Sequence, residues 1–110
     1  MSQAIYIVGG ARTPMGGLMG DLASVSAPQL GSTAIKAAVE RANLDAAVID
    51  EVFMGCVLPA GLKQCPARQA ARYAGVPDHV GAVTVNKACG SGMQATIFGI
   101  DSIRAGTNSV

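Results

Sequence analysis

The stretch that decides the fold is "GAVTVNKACGSGMQA", from Gly81 to Ala95. It opens with a short, partly β-branched apolar run, 81–86, which is typical of a buried strand. A helix is predicted next, from about Gly90 to Ala105, because the glycine at 106 is a common residue type directly after a helix. Cys89 lies between the two, immediately before the first of two glycines. The stretch therefore predicts a strand, a sharp turn and a helix, with a thiol at the turn.

The same alternation of strand and helix extends back to the start of the chain. Ser26 and Gln29 have the Ser-x-x-Gln spacing of a capping box, so a helix is expected to follow them. Pro66 and Gly75 mark the start and the stop of another short helix. The order strand, helix, strand, helix, strand, helix predicts an α/β fold in layers with mostly parallel strands. The elements before the last helix are predicted at 4–10, 28–43, 51–58, 66–75 and 81–86.

The composition fits such a layered core and argues against two classes of protein. Hydrophobic residues make up 50% of the 110 residues but aromatic residues only 4%, so the core is expected to consist of small and aliphatic side chains. The formal net charge is +1, and no basic run with interleaved aromatic residues occurs, which argues against nucleic-acid binding. No apolar run approaches the ~18 residues that a membrane-spanning helix needs.

Cysteine usage indicates a reducing compartment. The three cysteines, Cys56, Cys65 and Cys89, are odd in number, and no C-x-x-C motif occurs. The N-terminal "MSQAIYIVGG" lacks the positively charged region of a signal peptide. A single histidine and scattered thiols make a zinc site improbable. We therefore expect reduced thiols in a cytoplasmic protein without a bound metal.

The last residues predict that the domain continues. The segment "RAGTNSV", 104–110, contains the end of the predicted helix and a few residues after it. Its last residue is a valine, a residue type that could begin another strand. We expect residues 1–110 to form one incomplete domain. The alternative is that these last residues only fray.

Cys89 is the candidate nucleophile. The reactive form of cysteine is the thiolate. The start of a helix presents unpaired N–H groups and the positive end of the helix dipole, which favour a negative charge there. Strand, sharp turn, nucleophile and helix form the nucleophile elbow of hydrolases. The backbone N–H of Cys89 could also stabilise an oxyanion on an attacked carbonyl.

Two other interpretations of this stretch remain open on spacing alone. Free cysteines are among the most buried residue types, so Cys89 could be a structural residue, and the two interpretations are about equally supported. The letters "GSGMQA" also fit the dinucleotide pattern G-x-G-x-x-G/A at a helix start. That fit is weak, because polar residues separate the strand from the first glycine, and "GGARTP" after the first strand does not match.

The remaining chemistry-bearing residues have plainer explanations. Cys56 lies in a strand run and Cys65 in a loop, and both are expected to be structural. His79 follows Pro77 in a turn and could act as a general base, but a lone loop histidine is more often only solvated. The arginines at 68 and 72 are one helical turn apart and could pair with an acid or a phosphate, although a solvated face is the default.

Three motifs give the chain a family resemblance. "NKACGSGMQA" resembles the thiolase nucleophile motif N-x-x-C-G-S-G-x-x-A. "GGARTPMG" resembles the strand and A-R-T-P of the thiolase start, and "GCVLPAGLKQCPARQAA" resembles the family's G-x-V-L-x-A-G-x-G-Q-N-P-A-R-Q-A. They occur in the family's order and spacing and span the whole chain. The resemblance implies the thiolase fold, here the first part of an N-terminal αβα domain with a mixed, mostly parallel sheet.

The resemblance also implies an activity. Cys89 matches the acylated nucleophile, which takes an acetyl group from acetyl-CoA and passes it to a second acyl-CoA in a reversible Claisen condensation. Coenzyme A thioesters are then substrates, and no separate cofactor is implied. The backbone N–H of Cys89 matches one oxyanion donor. "LPAG" and "PARQAA" are closer to the acetoacetyl-CoA branch. A homodimer or homotetramer with a role in fatty acid metabolism is expected of the whole protein.

The sequence departs from the family pattern in two positions and in length. Lys63 stands where the family usually has glycine, and Cys65 where it usually has asparagine. The family's catalytic histidines and second cysteine lie beyond Val110, and His79 matches none of them. A second hypothesis follows: the 110 residues act as a non-catalytic interaction or regulatory fragment.

Overall fold

A computed structural model describes residues 3–110. Three α-helices and two strands alternate, and a one-turn 3₁₀ helix at Ala46–Val48, which the sequence analysis did not predict, precedes the first strand. The order agrees with the prediction from the second element onward. The elements are α1 (Ala27–Arg41), β1 (Glu51–Gly55), α2 (Pro66–Tyr73), β2 (Gly81–Val85) and α3 (Ser91–Arg104).

The two strands are parallel neighbours. Glu51 lies opposite Gly81, and Gly55 lies opposite Val85. The Cys56 N–H donates to the Val85 carbonyl at 2.9 Å, just past the end of β1. Helix α2 forms the crossover between the strands, as a parallel connection requires. The carboxyl ends of both strands therefore meet at one edge of the sheet.

Side chains alternate between the two faces of β1, and this alternation defines three layers. Val52 belongs to the core cluster with Ala71 of α2. Phe53 points the other way and meets Phe98 of α3 edge-on, with ring centroids 6.4 Å apart. Helix α2, with α1 packed against it, thus covers one face and α3 covers the other, and the expected α/β layering is confirmed.

Small side chains let the helices approach closely. Ala67, Ala70 and Ala71 of α2 are almost completely buried. A Cβ at Gly31 in α1 would lie 3.0 Å from the Ala70 Cβ, so a larger residue at this position would push the two helices slightly apart. The core is built from alanine and valine, as the low aromatic content predicted.

The helix ends follow the predicted local signals. The Ser26 hydroxyl accepts from the Gln29 N–H, and the Gln29 side chain accepts from the Ser26 N–H, so the capping box is confirmed. Residues in the left-handed region, Asn43, Gly75 and Gly106, follow the three helices. In each case the N–H of the left-handed residue and the N–H of the residue after it donate to carbonyls of the last helical turn, which is the Schellman arrangement.

The predicted strand at 4–10 is wrong. The structure assigns no strand there, and Tyr6, Ile7 and Val8 are 79%, 81% and 64% exposed. A strand needs a neighbour to bond its N–H and C=O groups. A groove of about 400 Å³, bordered by Ile103 and Val110 among others, lies beside this segment instead.

The other boundary differences are small. The strand predicted at 51–58 stops at Gly55, because the chain turns away after the last bond to Val85. Val110, predicted to open a further strand, is outside any assigned strand, but its carbonyl accepts from the Asp50 N–H at 2.9 Å. Among the helices of residues 3–110, none has the length and apolar character to cross a membrane.

Candidate functional site

Cys89 lies at the carboxyl edge of the sheet, in the short connection between β2 and α3. Cys89 is exposed to solvent, whereas Cys56 and Cys65 are partly buried. In open parallel sheets, ligands bind outside the carboxyl ends of the strands. The structure therefore places the predicted nucleophile where a substrate can reach it.

The residue before the cysteine has an unusual backbone. Ala88 has φ +47°, in the left-handed region that residues with a Cβ rarely adopt. This conformation costs an L-residue about 1–2 kcal/mol. Such residues cluster at functional sites and persist only where their surroundings fix them. The sharp reversal from strand to helix is made here.

Two polar side chains fix Ala88 from both sides. The Asn86 Oδ1 accepts from the Ala88 N–H at 3.1 Å. The Ser91 hydroxyl accepts from the Lys87 N–H at 2.9 Å and donates to the Ala88 carbonyl at 2.6 Å. Ser91 is 5% exposed and is the one buried polar residue of the described part of the chain. We call this pair of side chains the Asn86–Ser91 clasp.

The start of α3 is pressed against the end of β1. A Cβ at Gly55 would lie 2.5 Å from the Gly92 nitrogen and 2.6 Å from the Ser91 carbonyl carbon. No real Cβ tolerates such distances to backbone atoms. Glycine at 55 therefore allows the first turn of α3 to sit directly on the sheet, next to Cys89.

Backbone donors around Cys89 are free. The N–H groups of Cys89, Gly92 and Met93 donate to no protein acceptor within residues 3–110. Free donors at a helix start carry the positive end of the helix dipole. The site thus combines an exposed thiol with donors that can hold a negatively charged oxygen.

Two of the other candidate residues have structural surroundings. Cys65 occupies the position just before α2, and its backbone is in the left-handed region. Its Sγ lies 3.3 Å from the Thr84 Oγ1. Cys56 lines a small cavity of about 50 Å³ among α1, β1 and α2. Lys63, the other departure from the family pattern, also has a positive φ, in the loop before α2.

His79 and the two arginines lie at the opposite end of β2 from Cys89. His79 is exposed in the turn that precedes Gly81. Arg72 pairs with Asp78 at 2.9 Å, and Arg68 donates to the carbonyls of Asp78 and Val80. These contacts fasten the turn to α2. The structure does not bring these three residues together with Cys89.

The clasp was not predicted from the sequence, although the polar residues Asn86 and Lys87 before the cysteine were identified there. Asn and Ser side chains readily bond nearby backbone groups, which was the available signal. The second glycine of "GSG" proves to be the second residue of α3. Within residues 3–110, no group of three or more His, Cys, Asp or Glu side chains could hold a metal ion.

Comparison with known sequences gives a consistent family. Residues 5–110 match the family described as thiolase, N-terminal domain. Acetyl-CoA acetyltransferase 2 of Arabidopsis thaliana is 55% identical over 106 residues, which are 96% of this chain and 26% of the relative. "Acetyl-CoA acetyltransferase ERG10, cytosolic" of Gibberella zeae is 53% identical over 106 residues, 96% and 27% of the two chains. The chain spans about a quarter of the length of these curated relatives.

Solved structures agree. The Acat5 thiolase from Ascaris suum in complex with coenzyme A has a TM-score of 0.91 at 39% identity, over 94% of this chain and 27% of that one. Acetyl-CoA acetyltransferase from Syntrophomonas wolfei has a TM-score of 0.89 at 40% identity, over 93% and 26%. Motifs, fold and relatives thus lead to one conclusion: the chain belongs to the thiolase family and matches its N-terminal domain.

Proposed function

We propose that the whole protein is an acyltransferase that condenses two acetyl-CoA molecules to acetoacetyl-CoA, or cleaves a 3-ketoacyl-CoA in reverse. The observation that carries the proposal is the exposed Cys89 thiol beside the free N–H groups at the start of α3. Relatives named acetyl-CoA acetyltransferase, 55% and 53% identical to this chain, support the acetyl group as the unit transferred.

The first half-reaction is acyl transfer to sulfur. The Cys89 thiolate attacks the thioester carbonyl of acetyl-CoA and forms a new carbon–sulfur bond. The negatively charged oxygen of the tetrahedral intermediate accepts a hydrogen bond from the backbone N–H of Cys89. The intermediate then collapses, the bond to the CoA sulfur breaks, and CoA leaves as a thiolate that takes up a proton. An acetyl thioester remains on Cys89.

The second half-reaction forms the carbon–carbon bond. A base removes a proton from the α-carbon of a second acetyl-CoA, and the resulting carbanion attacks the acetyl carbonyl. The Cys89 sulfur leaves, and acetoacetyl-CoA is released. We assign the base to another part of the whole protein, because His79 lies at the far end of β2.

Further properties of the whole protein belong to the same proposal. Binding of coenzyme A is supported by the related Ascaris suum thiolase, whose structure is a complex with coenzyme A. A cytoplasmic location is supported by the relative from Gibberella zeae, whose name includes "cytosolic". We also propose a homodimer or homotetramer with a role in fatty acid metabolism.

Thiolysis of acetoacetyl-CoA by the whole protein tests the activity. We expect Cys89→Ser to lower kcat by at least about 1,000-fold, because removing a catalytic nucleophile costs most of the rate enhancement. Cys56→Ser is the matched control and should leave kcat within about twofold, since the partly buried Cys56 lines a small pocket among α1, β1 and α2 and is not the proposed nucleophile. Wild-type turnover in the Cys89 variant would overturn the proposal.

A further inference from the structure

The Asn86–Ser91 clasp bonds three of the backbone polar groups that precede Cys89, and the fourth, the Lys87 carbonyl, accepts from the Gly90 N–H at 2.9 Å. The Ala88 N–H donates to Asn86, and the Lys87 N–H donates to the Ser91 hydroxyl. The Ala88 carbonyl accepts from that hydroxyl at 2.6 Å and, over a longer distance of 3.2 Å, from the Ser91 backbone N–H. Asn86 is itself tied to the Val57 carbonyl after β1, through its Nδ2 at 3.4 Å. The turn that carries the thiol is therefore fixed by side chains from both of its ends.

The clasp also sets the direction of the Cys89 N–H. The Ala88 carbonyl and the Cys89 N–H belong to one planar trans peptide, so they point in opposite directions. When Ser91 holds the carbonyl toward the buried side at 2.6 Å, the N–H must point away from that side. Within residues 3–110 this N–H has no protein acceptor, so it remains available to a substrate oxygen.

We propose that Ser91, with Asn86, is a positioning residue for Cys89: its hydroxyl locks the Ala88–Cys89 peptide so that the N–H and the thiol face the same carbonyl. This inference rests on the proposed function and adds residues to it. Ser91 touches no substrate, because it is buried. Its effect is exerted through the peptide plane alone.

Loss of the hydroxyl should therefore change the chemical step and leave substrate binding nearly unchanged. A rotated peptide removes an oxyanion donor that acts only when the carbonyl carries negative charge. Small displacements of catalytic groups cost about 100-fold in rate. We expect Ser91→Ala to lower kcat by roughly 10- to 100-fold with KM within about threefold.

The matched control lies in the same helix. The Ser102 hydroxyl donates to the Gly99 carbonyl, three residues back, just as Ser91 donates to Ala88. Ser102→Ala thus removes a similar bond far from the thiol and should keep wild-type kcat. Both variants are assayed in the whole protein, below the temperature at which either begins to unfold, so that stability does not enter the comparison.

A second variant covers the case in which Ser91→Ala does not fold. Asn86 is exposed, so Asn86→Ala leaves no cavity in the core, and it should lower kcat in the same way by releasing the Ala88 N–H. Rates of Cys89 alkylation by iodoacetamide, measured by peptide mass spectrometry with Cys56 as internal reference, supply a readout without substrate. We expect both clasp variants to change the Cys89 rate at least threefold, and Ser102→Ala to leave it unchanged.

The outcomes separate this inference from the proposed function. If Cys89→Ser abolishes turnover while Ser91→Ala and Asn86→Ala keep wild-type kcat, the clasp has no positioning role. If the Cys89 variant itself turns over normally, the proposed function fails, whatever the clasp variants do. A rise in KM with unchanged kcat in Ser91→Ala would also contradict the inference.

Discussion

Gly55 at the end of β1 and Gly92 in the first turn of α3 are in backbone contact: a Cβ on Gly55 would lie 2.5 Å from the Gly92 nitrogen. This contact joins the sheet to the helix that follows the nucleophile. It makes the position of Cys89 depend on a residue that is 34 positions earlier in the chain. The site is thus held by packing as well as by the Asn86–Ser91 clasp.

Substituting Gly55 tests this contact. Gly55→Ala forces α3 away from β1, and we expect the free energy of unfolding to fall by about 1–3 kcal/mol, as in other overpacked sites. Urea denaturation measures the change. Gly99→Ala is the control, because its Cβ would meet nothing within 4 Å and should raise stability by roughly 0.5–1 kcal/mol through helix propensity. Equal free energies of unfolding for the two variants would show that the backbone of α3 leaves room for a Cβ at Gly55.

Ala88→Gly tests the left-handed backbone. Glycine adopts this conformation without the cost of about 1–2 kcal/mol that alanine carries, but it loses more entropy on folding. We therefore expect the free energy of unfolding to change by no more than about 1 kcal/mol, toward higher stability. Chemical denaturation provides the comparison. A marked loss of stability would mean that Ala88 lies in an ordinary right-handed or extended conformation.

The Asp50 carboxylate is expected to make stability depend on acid pH. The backbone N–H groups of Ser109 and Val110 donate to it at 2.6 and 3.1 Å, and these bonds hold the pKa of Asp50 below its usual 3.8. A lowered pKa in the folded state contributes stability above the unfolded value, and this contribution is lost as pH falls through the lowered value.

NMR titration of the Asp50 side chain measures this directly. We expect a midpoint below 3.8 in the folded protein. Asp50→Asn keeps the shape of the side chain and removes the charge. Its stability should therefore differ from that of the wild type at neutral pH, and the difference should shrink as the carboxylate is protonated. A midpoint at or above the usual value would contradict the contact with residues 109 and 110.

His79 is expected to have no catalytic role. It is exposed in a turn at the end of β2 opposite to Cys89. His79→Gln should leave kcat and its pH profile unchanged in the whole protein, because surface substitutions away from the site rarely matter. Steady-state assays over a range of pH provide the measurement. Loss of a titrating limb in the variant would return His79 to the candidates for the base.

Local signals predicted much of the fold because their causes are local. The Ser26–Gln29 capping box, the glycines at 75 and 106, and the strand before Cys89 all appear in the structure as expected. Each depends on a bond or a backbone preference within a few residues. The order of strand, glycines and helix start predicted the position of the thiol at a turn for the same reason.

Features that depend on distant neighbours were not predictable. The segment 4–10 has strand-like composition, yet a strand also needs a partner, and the structure shows none beside it within residues 3–110. The bonds of the Ser91 hydroxyl to Lys87 and Ala88 occur at a turn where Ala88 has a positive φ angle, and the amino-acid sequence alone does not reveal that angle. The contact of Gly55 with α3 likewise depends on how the layers stack.

The central claim is that Cys89 carries the acyl group, and trapping the acyl-enzyme tests it most directly. The whole protein is mixed with isotopically labelled acetyl-CoA, quenched in acid and digested, and peptides are examined by mass spectrometry. The account predicts one acetyl thioester, on the peptide that contains Cys89, which disappears when acetoacetyl-CoA formation is allowed to proceed. Acetyl label on Cys56 or Cys65, or turnover without any label on Cys89, would contradict it.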